Sequence, residues 1–183
     1  MKTLSNKLPI IYDNLFSNVH SIIHSGYNGS NIIVPHVCNN VDVFGGGFTA
    51  GIAKYYPIVK ENYHLLGNHF LKNKSSLGYV QYVETDKDST YGHKLIFANM
   101  IAQNGTISNN NPRPLNYGAL VKCMMSVVSY INNSFDKDSS VQIHAPKFGS
   151  GLAGGNWFFI EELIKDIWSN HSIFIYDLKK PRA

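Results

Sequence analysis

The sequence predicts an α/β protein, with helices covering both faces of a mixed, largely parallel central sheet in a three-layer α/β/α arrangement. Three observations point to this. Short apolar runs of strand character alternate with stretches of helical period along the whole length. Two glycine-rich segments each follow an apolar run and lead into a helical pattern. The chain has 183 residues, 44% hydrophobic and 15% charged, which suits one domain with a substantial core over about residues 10–178 and leaves no room for a second.

The elements follow in order. Residues 31–37 (NIIVPHV) form a nearly all-apolar run, the pattern of a strand buried on both faces. The triplet Gly45-Gly46-Gly47 precedes a helical stretch over about 49–55, and Pro57 opens a second helix over 57–70, where its missing N–H is no loss. Residues 78–84 and 94–102 read as strands around a polar turn at 86–92. The loop 109–114 ends in a proline helix start. The helix 115–131 then buries Leu120, Met124, Val127 and Val128. A strand at 141–145, the loop 146–155, a helix over about 157–169 with a stripe from Phe159 to Trp168, and a strand at 172–178 complete the order.

Composition narrows the function. The net charge of +4 comes from lysines, with Arg113 and Arg182 the only arginines, and no basic cluster carries interleaved aromatics. A nucleic-acid partner is therefore not expected, whereas an anionic small molecule is favoured. Cys38 and Cys123 are too far apart for a CxxC pair and read as reduced, buried thiols. No apolar run reaches the ~18 residues of a membrane span, and the polar first nine residues lack a signal-peptide core. The expectation is a cytoplasmic protein with no membrane partner, in which triplets such as Asn28-Gly29-Ser30 are chance.

The two glycine loops carry the chemistry. Glycine lets backbone N–H groups approach a ligand, and a helix start adds unsatisfied donors and the positive end of its dipole. Gly45 to Gly47 and Gly149 to Gly155 both stand between strand and helix, a context that suits phosphate oxygens. In open α/β sheets such loops face a crevice at the carboxyl ends of the strands. Glycine triplets also make ordinary turns, and composition alone does not separate the two readings. The pattern Gly45-x-Gly47-x-x-Ala50 also fits a permissive dinucleotide motif. Its context is wrong, because residues 39–44 separate it from its strand and no acidic strand end follows at the required distance.

The residue order is more specific. His36-Val37-Cys38-Asn39, then Phe44-Gly45-Gly46-Gly47-Phe48 and a helix reaching Tyr56-Pro57, resembles the first ligand loop of macro domains. The likeness is strongest to the branch that includes ADP-ribose 1″-phosphate phosphatases. Pro146-Lys147-Phe148-Gly149-Ser150-Gly151-Leu152 with Asn156-Trp157 resembles the family's second loop, and the NPRPLNY and KFGSGLAGGNW segments look like small phage-encoded macro proteins, which would place the protein in a host cytoplasm. The resemblance implies ADP-ribose or a phosphorylated derivative as ligand, with an ADP-ribosylated protein as a further partner class. It assigns Asn39 to the distal ribose, and Gly45, Gly46 and Gly47, between Phe44 and Phe48, to the ribose and diphosphate. Gly149, Ser150, Gly151 and Leu152 fall on the phosphates' other side. Asn14, followed by Leu15, stands where many members read the adenine amino group, with Asp13 as a substitute one residue away.

His36 matches a histidine implicated in phosphate removal; an imidazole of ordinary pKa serves as base or nucleophile near neutral pH. An inert histidine at a strand end is the alternative. Asp42 is a nearby carboxylate able to activate water, or a turn residue. The lysine and aspartate of the relatives that cleave ADP-ribose from glutamate correspond here to Glu84 and Ala153, so that mechanism is not expected. Asn156 is expected to cap the last helix. His93 and His144 have no matched role. No histidine stands at metal-ligand spacing from cysteine or carboxylate, so neither metal nor cofactor is expected. A phosphatase using His36 or Asp42 is the first expectation, ahead of a non-catalytic ADP-ribose module and an ADP-ribosyl-protein hydrolase.

Overall fold

The computed structural model describes residues 8–26, 29–87 and 90–178. Arg182, Asn28, nearly all of the polar N-terminal stretch and the middle of the 86–92 turn lie outside the described residues. Six strands form one sheet in the order β1-β6-β5-β2-β4-β3, with β1 Ile10–Ile11, β2 Asn31–Asn39, β3 Val80–Lys87, β4 Lys94–Gln103, β5 Val141–Pro146 and β6 Ser172–Tyr176. Every neighbouring pair is parallel except β3 against β4. Five strands therefore end at the same edge, and the chain leaves β2 toward β4 on one side and β5 on the other, the arrangement that opens a crevice above the strand ends.

Strand alternation sorts the core into two layers. Ile32, Val34 and Cys38 of β2 and Leu95, Phe97 and Ile101 of β4 pack toward helices α1 (Leu15–Ile23), α2 (Phe48–Tyr55), α3 (Pro57–Leu65) and α4 (Gly67–Leu71). Ile33, Val37, Ile96, Ala98 and Met100 face the other way, toward α5 (Tyr117–Ser134) and α6 (Trp157–Ile167). The three-layer reading holds. Cys38 and Cys123 are free and buried, and burial raises both thiols, Cys123 to about 12. Among the described residues no helix is long and apolar enough to cross a membrane.

Local differences from the expectation have physical causes. The sequence reading missed α1, a nine-residue helix capped by Asn14, whose Leu15, Val19 and Ile23 are buried at a spacing of four. It also missed the two-residue strand β1. The helix expected over 57–70 is interrupted because Gly67 adopts φ 74°, a left-handed conformation that divides α3 from α4. Strand β3 runs on to Lys87 through a bulge between Glu84 and Asp86, so Asp86 belongs to the strand and not to the turn. Helix α5 starts at Tyr117 under an Asn116 cap, two residues after the start expected at Leu115.

Candidate functional site: a cleft at the carboxyl edge of the sheet

The crevice predicted by the topology is a cleft of about 740 Å³, within the usual range for small-molecule sites. Gly46, Gly47, Phe48 and Thr49 form one wall, and Lys147 through Ala153 form the other. His36, Val37 and Gln103 lie in its floor, at the ends of β2 and β4. Asp13, Asn14, Tyr176 and Asp177 line the end where β1 and β6 run side by side.

The first wall is the N-terminus of α2. Gly47 takes φ 58° and ψ −129°, and no side chain caps the helix. The Thr49 hydroxyl accepts from Gly45 N–H at 3.0 Å and donates to the Gly46 carbonyl, which braces the turn. The amides of Gly46, Gly47, Phe48 and Thr49 have no protein acceptor among the described residues. An uncapped helix start facing a cleft suits an anion.

The second wall differs from the first in one respect, and the cap expected at Asn156 is the reason. Helix α6 is capped by Asn156, which accepts from Phe158 N–H at 2.9 Å, so its terminus offers nothing to the cleft. The loop itself does. Gly154 N–H and Gly155 N–H turn back to Gly151 O and Gly149 O, while the amides of Ser150, Gly151 and Leu152 have no protein acceptor among the described residues. A β-carbon on Gly154 would stand 2.6 Å from the Pro112 carbonyl, so this turn requires glycine. The Leu152 side chain reaches across to Gly46, whose added β-carbon would lie 3.1 Å from it. The two loops meet over the cleft.

Charge varies along the cleft. Lys147 is the cation in its wall, and it lies 3.5 Å from Asp177. The donors available in the middle of the cleft are therefore mainly backbone amides. At the β1–β6 end, the Asn18 amide and Asn14 N–H hold the Asp13 carboxyl below its usual range, so it stays an ionised acceptor. Aromatic surface comes from Phe16, Phe48, Tyr55 and Tyr176. Phe16 stacks on Phe48 with ring centroids 5.2 Å apart, a packing allowed because a β-carbon on Gly51 would meet the Phe16 ring at 2.6 Å.

The matched residues divide. Leu15, Gly46, Gly47, Phe48, Gly149, Ser150, Gly151 and Leu152 line the cleft as expected, as does Asn14. The Asn14 oxygen, however, caps α1, accepting from Phe16 and Ser17 N–H, which leaves Asp13 as the better placed acceptor. Gly45 and Phe44 do not line the cleft. Phe44 is buried against Tyr63, with ring centroids 5.2 Å apart.

Asn39 also lies outside the cleft wall. Its oxygen accepts from Val41 N–H, Val43 N–H and the Tyr63 hydroxyl, and its amide donates to Val43 O at 2.6 Å. It shapes the first loop from within. Replacing Asn39 by alanine is expected to cost roughly 2–3 kcal/mol of folding stability by leaving buried partners unpaired, measurable by urea unfolding.

Asp42, at φ 60°, places its carboxylate 2.7 Å from His64 Nδ1 and away from the cleft. With its partner outside the cleft lining, the water-activating role expected for Asp42 has no geometric support.

His36 touches the cleft floor but is only 1% exposed. Asn99 donates its amide to Gln81 and accepts from His36 Nε2 at 2.6 Å, which puts the ring proton on Nε2 and leaves Nδ1 facing the Cys38 thiol at 3.7 Å. Burial pushes the imidazole down to about 4. It is neutral near pH 7, and both nitrogens have internal partners. Glu84 pairs with Lys94 on the sheet at 3.3 Å, and Ala153 adds no charge to the cleft it lines. Phe16, Gln103, Tyr176 and Asp177 also line the cleft and carry no signal in the spacing, because they reach it only through the folded sheet, whereas Asp13 is the substitute for Asn14 that the sequence offers.

A Streptomyces coelicolor macrodomain protein has a similar structure, with a TM-score of 0.61 and 26% identity over 81% of this chain and 88% of that one. The chain has the macro-domain fold. A Thermosipho africanus DarTG structure in complex with ADP-ribose shares this macro-domain fold at a TM-score of 0.60 and 13% identity, over 95% of this chain and 54% of that one. In sequence, the chain is similar to an uncharacterized 17.5 kDa protein of the tk-vs intergenic region of Enterobacteria phage T4, 28% identical over 147 residues, 79% of this chain and 84% of that protein. No protein-family model matches the chain.

Proposed function

We propose that this macro domain binds ADP-ribose or a close derivative in the cleft and holds it without turnover. The observation that carries the reading is the pair of facing amide sets, Gly46 to Thr49 at the uncapped α2 start and Ser150 to Leu152 opposite. Two clusters of donors across a narrow gap suit the two phosphates of a diphosphate, one on each wall. The acidic, aromatic end at Asp13 and Tyr176 repels phosphate and suits a base that presents an amino donor. The solved complex of the DarTG relative with ADP-ribose supports the same ligand.

The phosphatase expectation finds less support in the geometry. A general base or nucleophile must reach the reacting atoms with a free lone pair. His36 Nδ1 faces the Cys38 thiol, and Asp42 lies with His64 outside the cleft. The carboxylates that do line the cleft, Asp13 and Asp177, sit at the end assigned to the base.

The test has two parts. In amide NMR spectra, ADP-ribose is expected to shift Gly46 to Thr49 and Ser150 to Leu152 together. No phosphate release is expected from ADP-ribose 1″-phosphate at stoichiometric protein. Steady release that His36→Ala abolishes would restore the phosphatase reading; unmoved loop amides would remove the ligand assignment.

A further inference from the structure

Chain spacing alone gave no metal-ligand set, but folding assembles one at the far end of α1. His20 and His24 stand one turn apart on the same exposed face of that helix, with ring centroids 4.5 Å apart. The bulge that carries β3 past Glu84 brings Asp86 to them, and its Oδ2 lies 3.0 Å from His24 Nε2. One ligand atom from each of His20, His24 and Asp86 lies within 4.8 Å of the others.

We propose that these three residues form a zinc site, separate from the ligand cleft. Two imidazoles and one carboxylate oxygen are a donor set suited to zinc. Metal–ligand bonds of ~2.1 Å in tetrahedral geometry put donor atoms roughly 3.4 Å apart. The observed group needs only small side-chain rotations to reach that spacing, at two exposed histidines and a half-buried aspartate. The fourth position faces solvent and would hold water. A simple His24–Asp86 surface pair contributes little by itself and gives no role to His20, which the zinc reading does.

The consequence is mechanical. Asp86 lies on the β3–β4 hairpin, His20 on α1 and His24 at its C-cap, so the metal would tie the end of the helix to the hairpin across elements remote in sequence. The opposite end of α1 carries Leu15 and Phe16 into the cleft.

The experiment titrates zinc chloride into the full chain at pH 7.5, read by calorimetry and by thermal melting. One zinc per chain with micromolar affinity is expected, with the melting midpoint raised by a few degrees. His20→Ala and Asp86→Asn are each expected to weaken binding about tenfold or more and to remove the thermal shift, whereas His69→Ala leaves both intact. ADP-ribose binding by the variants reports separately that they are folded. Equal zinc affinity in His20→Ala, Asp86→Asn and the unaltered chain, or no binding below millimolar zinc, overturns the proposal.

Discussion

Replacing Gly47 by valine is expected to reduce ADP-ribose affinity roughly 100-fold, about 2.7 kcal/mol, while the protein stays folded. The backbone at Gly47, φ 58° and ψ −129°, is strained for any residue with a β-carbon and worst for a branched one. Valine drives the loop toward negative φ and turns the amides of Gly47 and Phe48 out of the cleft. A β-carbon on Gly47 meets only the Leu152 side chain, at 3.6 Å, so the core is not disturbed and the stability loss stays near the ~1–3 kcal/mol of local strain. Alanine at Gly46 presses on the same flexible leucine and is the milder change. Calorimetric titration of both variants makes the check. Unchanged affinity in Gly47→Val would mean that the first loop does not hold the phosphates.

The second large effect is on folding. Burial pushes His36 and His144 each down to about 4, whereas an unfolded histidine titrates near 6.5. Both rings are neutral in the fold, so on acidification the unfolded chain takes up their protons first. Their contribution is complete above pH 6.5 and is lost as the pH falls toward 4, with each site contributing on the order of 2–3 kcal/mol. That is a large part of a typical folding free energy. Urea unfolding at pH 7, 5.5 and 4.5 is expected to show stability falling steadily across this window. A flat profile would mean that the two rings are more open to water than the structure shows. His144 contributes through its place between Tyr176, at 2.8 Å, and Gln142, at 2.9 Å, with no part in the cleft.

The layers of the fold were legible because they depend on local periodicity. Ile32 and Ile33 face opposite cores for the same reason that adjacent strand residues point to opposite faces. The glycine loops were legible because φ values such as that of Gly47 leave a compositional mark. Helix α1 was missed, although its stripe of Leu15, Val19 and Ile23 stands in the sequence, because the stretch is short and its cap at Asn14 was read as a ligand contact. Other features are created by tertiary approach alone. Asp42 and His64 are 22 residues apart, His36 and Asn99 are 63 apart, and β1 and β6 lie at the two ends of the chain. No spacing rule links such pairs. Asn39, Asp42 and His36 each have internal partners that support the loop and floor around the cleft, and no spacing in the sequence reveals those partners.

The two amide walls and the acidic, aromatic end of the cleft suit the proposed ligand, an adenine nucleotide diphosphate extended by a second ribose. Calorimetric titration of ADP-ribose into the unaltered chain, with AMP as comparator, tests this assignment most directly. Saturable one-to-one binding of ADP-ribose, with AMP markedly weaker because it leaves one amide wall unfilled, is the predicted result. No saturable binding at millimolar ADP-ribose, or equal affinity for AMP, would contradict it.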